Sequence, residues 1–171
     1  ALRDVLGEHV QQAGSYQDDK ELRFDFTHFS ALTPEELSEV ERLVNERIHA
    51  GVDVVTEVMS LEDAKKTGAM ALFGEKYGEK VRVVKMGDYS TELCGGTHVK
   101  NTSEIGAIKI LSETGVSSGV RRITALTSDN ILTYYKDMED KLNEVLAALK
   151  TPLNGAVAKV ESLQNEIRAL K

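Results

Sequence analysis

The chain has 171 residues, 41% hydrophobic and 29% charged, with a formal net charge of −7, a composition ordinary for one globular core plus an appendage. No apolar run approaches the roughly 20 residues that cross a bilayer, and the acidic balance argues against non-specific coating of nucleic acid, since neutralising phosphates needs surplus Lys and Arg. The single cysteine, Cys94, has no internal disulfide partner and no basic-then-apolar leader is present, so a reducing, cytoplasmic setting is expected; the missing initiator Met predicts a fragment.

In chain order, Leu2, Val5, Leu6, His9, Val10 and Ala13 fall on one helical stripe, with Gly14 where a helix commonly ends. "LRFDF" alternates Leu22, Phe24 and Phe26 with Arg23 and Asp25, the period of a half-buried strand. Thr33, Pro34 and Glu36 then form an N-cap, a first helical position and a capping-box acid, which predicts a helix through "TPEELSEVERLVNERI". Val52 to Val58 and Val81 to Met86 read as β-branched strands around a short acidic helix opened by Ser60. "GAIKILS" and "GVRRITALT" give two more strands separated by a Gly/Ser loop, "ETGVSSG". Strands outnumber helices and few connections look like regular crossovers, so the expected class is α+β with a largely antiparallel sheet and packed helices.

After Thr127 the pattern changes. Ile131, Tyr135, Met138, Leu142, Val145 and Leu149 are spaced alternately three and four apart, and Leu153, Val157, Val160, Leu163, Ile167 and Leu170 resume the stripe beyond Pro152. This predicts a domain over 1–127 and a helical hairpin or coiled-coil segment over 128–171, with the boundary near Ser128. Such a stripe either packs on itself around Pro152 or supports self-association through Leu142, Leu149, Leu163 and Leu170. From His98 to Thr127, Lys100, Lys109, Arg121 and Arg122 outnumber Glu104 and Glu113, so this window is a candidate anion-docking face.

The stretch "TELCGGTHVKN" sets His98 four residues after Cys94 across Gly95, Gly96 and Thr97. Thiolate and imidazole are both good zinc donors, and a short glycine turn lets both face one centre, although this supplies only half of a closed site. The same pair could activate a thiol nucleophile. A third reading is inert: a small buried cysteine and a packing histidine. "ETGVSSGVRR" lacks the Gly-Lys-Ser/Thr ending of a nucleotide-binding loop, so no nucleotide is implied.

The strings "RFDFTHFSALTPEEL", "GAMALFGEKYGEKVRVVKMGDYSTELCGGTHV" and "SEIGAIKILSETGVSSGVRRITALT" resemble the editing domain of bacterial alanyl-tRNA synthetase, and the tail is similar to the helical linker that follows it. The resemblance implies a hydrolase that removes serine or glycine wrongly esterified to the 3′ end of alanine tRNA, within an alanine-tRNA ligase. It implies a zinc site made by an H-x-x-x-H helix and the C-x-x-x-H loop, which puts Cys94 and His98 among the ligands. The H-x-x-x-H pair would precede Ala1, so poor metallation of this chain is expected; His9 matches neither motif histidine. The resemblance further implies that Gln12 lines the pocket and that Thr97 works beside the metal. It also implies that Arg121, with Gly95 and Gly96, belongs to the surface that meets the tRNA acceptor end. Arg121 and Arg122, adjacent in a strand, should face opposite ways. The alternative reading is a non-catalytic tRNA-binding and linker module.

Overall fold

The computed structural model describes residues 1–70 and 78–170. It divides into two compact units, Ala1–Ile131 and the residues from Leu132 onward. The first unit is α+β and carries two antiparallel sheets rather than one. Strands β1 (Gln12–Gln17), β2 (Leu22–Thr27), β6 (Ile108–Ser117) and β7 (Val120–Thr127) form the larger sheet in the order β1-β2-β7-β6. Strands β3 (Val54–Ser60), β4 (Lys80–Met86) and β5 (Ser90–Leu93) form the smaller one in chain order.

The opening helix is shorter than its periodicity predicts. Helix α1 covers only Leu2–Leu6 and stops at Gly7, whose φ of 113° is open to glycine and whose N–H donates to the Arg3 carbonyl. The chain then enters the sheet: Thr27 N–H donates to the Gln11 carbonyl, and Gln11 N–H donates to the Thr27 hydroxyl. Val10 is still buried, so the apolar signal was right about burial and wrong about backbone, because pairing with β2 supplies hydrogen bonds that a few more helical residues would not. Gln12 and Gly14 therefore lie in a strand, not at a helix end.

Helix α2 (Pro34–His49) matches its expected start, with Thr33 and Glu36 exchanging both capping-box hydrogen bonds. Its polar face closes the edge of the larger sheet. Asn45 donates to the Ile108 carbonyl and accepts from its N–H, while Glu41 accepts from the Ile110 N–H and pairs with Lys109. These bonds satisfy backbone groups that an edge strand otherwise leaves open. The short helix α3 (Leu61–Lys66) is capped by Ser60, as its sequence suggests.

The "ETGVSSG" loop is mostly strand: β6 continues to Ser117, with irregular pairing on either side of Glu113 to Gly115, and the turn shrinks to Ser118 and Gly119. Each sheet has its own core. Val10, Phe26, Leu32, Ile123 and Ala125 fill the larger one, and Ala64, Val81, Val83 and Leu93 the smaller.

Helix α4 (Asp129–Leu149) follows Ser128, which holds φ at 52°, and ends where Lys150 takes φ 52° and Thr151 N–H reaches the Leu146 carbonyl. That six-to-one bond is a Schellman stop, with Pro152 close behind. After a single 3-10 turn, helix α5 (Ala156–Ala169) completes the described chain. Tyr135, Met138, Leu142 and Val145 on α4 and Val157, Val160 and Ile167 on α5 stay exposed, so the tail's apolar stripe is not consumed by a tight hairpin.

Candidate active site

Leu93, buried at the end of β5, anchors the glycine loop. The next residue, Cys94, donates its N–H to the Arg82 carbonyl on β4, and the Arg82 guanidinium donates at 2.9 Å to the Gly95 carbonyl. Cys94 is half-buried, whereas Gly95, Gly96, Thr97 and His98 are exposed. The glycines differ from expectation in one respect. Neither has a left-handed φ, a Cβ on Gly95 would meet nothing within 4 Å, and one on Gly96 would sit 3.7 Å from the Cys94 sulfur in ordinary contact. The turn itself does not demand them. What they provide is bare backbone between the thiol and the imidazole, where another molecule can approach closely.

The larger sheet brings two other candidates into one row. Gln12 pairs with Phe26 across β1 and β2, and Phe26 pairs with Arg121 across β2 and β7. Directly paired residues project to the same side of a sheet, so Gln12 and Arg121 flank the buried Phe26 on the core-facing side. The Gln12 amide donates to the Ser15 hydroxyl at 3.3 Å.

A chain of contacts joins this row to the glycine loop. Met70 exchanges backbone hydrogen bonds with Thr91 and Leu93, one residue from Cys94. The Arg3 guanidinium bridges the gap, with one nitrogen 2.7 Å from the Met70 sulfur and another donating at 2.7 Å to the Val10 carbonyl, two residues from Gln12. Arg3 thus links the segment just before β1 to Met70, which bridges to β5. Nothing in the sequence pattern singled it out, because a first-turn arginine reads as surface.

Arg121 and Arg122 do face opposite ways. Arg121 makes a two-pronged pair with Glu113, whose side chain is only 3% exposed, and Arg122 makes another with Asp25, at 2.7 and 2.8 Å. Hydrogen bonds from Arg121 hold the Glu113 carboxyl below the usual range; burial opposes them, and the Leu32 N–H and the charges of Arg121 and His28 add to them. Asp25 is lowered in the same way, first by Arg122. The expected anion-docking window is therefore largely neutralised, since Lys109, Arg121 and Arg122 all hold carboxylates, two of them from outside the window.

Sequence reasoning also missed a ring cluster beside this row. His9 Nε2 lies 2.9 Å from His28 Nδ1, and Phe29 stacks on the His9 ring with centroids 5.1 Å apart and planes 19° from parallel. The available signal was His28-Phe29 directly after a strand end, too short a pattern to separate from an ordinary loop.

Cys94 and His98 have the right chemistry for zinc, but zinc takes four donors in a closed site and three protein donors in an open one. Among the described residues no group of three or more His, Cys, Asp or Glu side chains is arranged to hold a metal. The described donor set does not by itself fit a zinc ion. A cavity of about 280 Å³ lined by Arg47, Val52, Met86, Gly87, Asp88 and Tyr89 lies at the opposite end of the β4–β5 hairpin and contains none of these candidates.

The family described as the threonyl and alanyl tRNA synthetase second additional domain matches residues 81–124, which run from β4 through the glycine loop into β7. Alanine-tRNA ligase 1 of Lachnoclostridium phytofermentans is 61% identical over 168 residues, covering 98% of this chain and 19% of that protein. The alanine-tRNA ligases of Acetivibrio thermocellus and Streptococcus suis are 57% and 54% identical over 99% and 100% of this chain. This segment belongs to the bacterial alanyl-tRNA synthetase family. It spans about a fifth of the length of the curated relatives it matches. Within the synthetase segment, the matched 81–124 stretch holds Cys94, His98 and Arg121, whereas Gln12, His9 and His28 lie outside it.

Proposed function

We propose that this synthetase segment hydrolyses the ester of serine or glycine wrongly attached to the 3′ end of alanine tRNA. The observation that supports this best is Arg3, which donates to the Val10 carbonyl, two residues before Gln12, and contacts Met70, itself hydrogen-bonded to Leu93 next to Cys94. Bare backbone at Gly95 and Gly96 would accept the acceptor end at close range. Thr97 and His98 would lie against the aminoacyl group, with Gln12 offering amide contacts to a serine hydroxyl. A polar contact of that kind discriminates serine from alanine far better than the volume of one methyl does. Arg121 contributes by orientation: Glu113 holds its guanidinium, which directs its remaining edge rather than leaving it a mobile cation. Zinc, with Cys94 and His98 as two of its ligands, belongs to the proposal as a resident ion whose further donors lie outside the described set.

The test is deacylation of Ser-tRNA(Ala), Gly-tRNA(Ala) and correctly charged Ala-tRNA(Ala) by this chain and by a whole ligase of the family carrying it. Faster loss of the first two than of the third is expected in the whole ligase. Equal, uncatalysed loss of all three would reject the reading. A second reading, a tRNA-binding and linker module without chemistry, draws on the incomplete donor set; it predicts binding of tRNA(Ala) with no deacylation in either protein.

Self-association through Leu142, Leu149, Leu163 and Leu170 is part of the same proposal; Leu142 and Leu170 are exposed, and Leu149 and Leu163 are half-buried. Sedimentation is expected to report a mass that rises with concentration, and a constant monomer mass would exclude it. No helix of the described residues is long and apolar enough to cross a membrane. A cytoplasmic location is proposed from the likeness to the tRNA ligases.

A further inference from the structure

We infer that Phe29, backed by His9 and His28, is a stacking platform for an unpaired nucleobase, a role that rests on the proposed approach of a tRNA 3′ end to this region. Phe29 is 86% exposed, although burying a phenylalanine is worth about 1.5–3 kcal/mol and the larger core lies close by. Its exposure does not come from a loose backbone. His28 N–H donates to the Gly119 carbonyl at 3.0 Å, and Leu32, three residues on from Phe29, is buried.

The ring is also oriented. Phe29 lies nearly parallel to His9, whose ring is held edge to edge with His28 by the 2.9 Å Nε2–Nδ1 contact, the two imidazole planes being 24° apart. The His9 backbone is fixed in turn, because its carbonyl accepts from the Thr27 hydroxyl, which itself accepts from Gln11 N–H. Phe29 is thus backed on one side by the hydrogen-bonded His9–His28 pair, with its ring 6.2 Å from His28 and tilted by 40°, while most of its own surface faces solvent. Such an arrangement fits a flat aromatic ligand that adds one more layer.

A nucleobase is the occupant these observations favour. Every base has a π-face, so stacking of this kind is sequence-tolerant. Position agrees as well: Phe29 follows Phe26, the centre of the Gln12–Arg121 row, by three residues. A terminal base on Phe29 would leave the adjoining ribose and its ester on the side of that row. Phe29 would then hold substrate without touching the reacting ester.

The probe is a short RNA hairpin with four unpaired 3′ nucleotides, the last of them 2-aminopurine, whose fluorescence falls on stacking. The 171-residue chain is expected to quench it, and Phe29→Trp to do the same. Phe29→Ala, at a site too exposed to unfold the chain, is expected to lose the quench and bind about 5- to 150-fold more weakly, the fold-change for 1–3 kcal/mol of base stacking. No quench by the unaltered chain, or an equal quench by Phe29→Ala, overturns the platform. Ser-tRNA(Ala) hydrolysis measured in parallel separates the two ideas: hydrolysis with an unchanged Phe29→Ala quench removes only the platform. A Phe29-dependent quench without hydrolysis in the whole ligase upholds the platform and removes the hydrolase reading.

Discussion

Phe26→Ala is expected to lower the unfolding free energy by about 3–5 kcal/mol, a large share of the roughly 5–15 kcal/mol that holds an ordinary domain together. Phe26 has no exposed surface and is the largest fully buried side chain among the described residues. It sits on β2, hydrogen-bonded to β1 on one side and β7 on the other, so neither neighbour can collapse into the space a missing ring leaves. Val10, Leu32, Ile123 and Ala125 around it would lose contact area without relaxing. Phe26→Leu, which keeps most of the volume, is expected to cost about 1–2 kcal/mol. Urea unfolding of the two variants measures the difference, and a loss below 1 kcal/mol for Phe26→Ala would contradict the described core.

The same substitution bears on function, because Phe26 stands between Gln12 and Arg121. Without the ring, the Gln12 and Arg121 side chains lose the packing surface between them, and misplacing positioning groups by an ångström is enough to lose on the order of 100-fold in rate. Phe26→Ala protein that remains folded at low temperature should therefore deacylate Ser-tRNA(Ala) more slowly than Phe26→Leu protein.

Local chemistry was readable where it closed within a few residues. Thr33, Pro34 and Glu36 announced α2, and Ser60 announced α3, because a cap and its acceptor are three positions apart in both sequence and space. The alternation of Leu22, Phe24 and Phe26 gave β2 directly. The failures all involve a partner outside the stretch that was read. His9 and Val10 lie on a helical stripe, yet the Gln11–Thr27 bonds draw that stretch into the sheet, and Thr27 is invisible from a window ending at Gly14. The "ETGVSSG" segment has loop composition, but Thr114 and Gly115 are held as strand by Arg122 and Arg121 of β7. Charge counting over 98–127 failed for the same reason, since Glu41 and Asp25, which answer Lys109 and Arg122, lie far upstream. At the site, Cys94 and His98 were legible as a spaced pair, whereas Arg3, His28 and Phe29 take their meaning from tertiary contacts alone.

Cys94→Ala and His98→Ala are each expected to reduce Ser-tRNA(Ala) hydrolysis by the whole ligase by about 100-fold or more, the scale for removing a group that acts in proton transfer or supports a bound metal. Neither should unfold the protein. His98 is exposed, and a surface substitution of this kind changes stability by about 0.5 kcal/mol or less. Cys94 is half-buried, and its fixed contact with β4 runs through its backbone N–H to Arg82, which alanine keeps. A large loss of rate with an unchanged urea midpoint marks these residues as functional. A wild-type rate in either variant would remove that residue from the site. Chemistry at the pair can then be divided by treating the unaltered ligase with a thiol alkylator after exhaustive metal removal. If Cys94 is a nucleophile, alkylation abolishes a metal-independent activity. If the pair serves as donors, activity has already gone with the metal, returns on adding zinc, and no longer returns once Cys94 is alkylated.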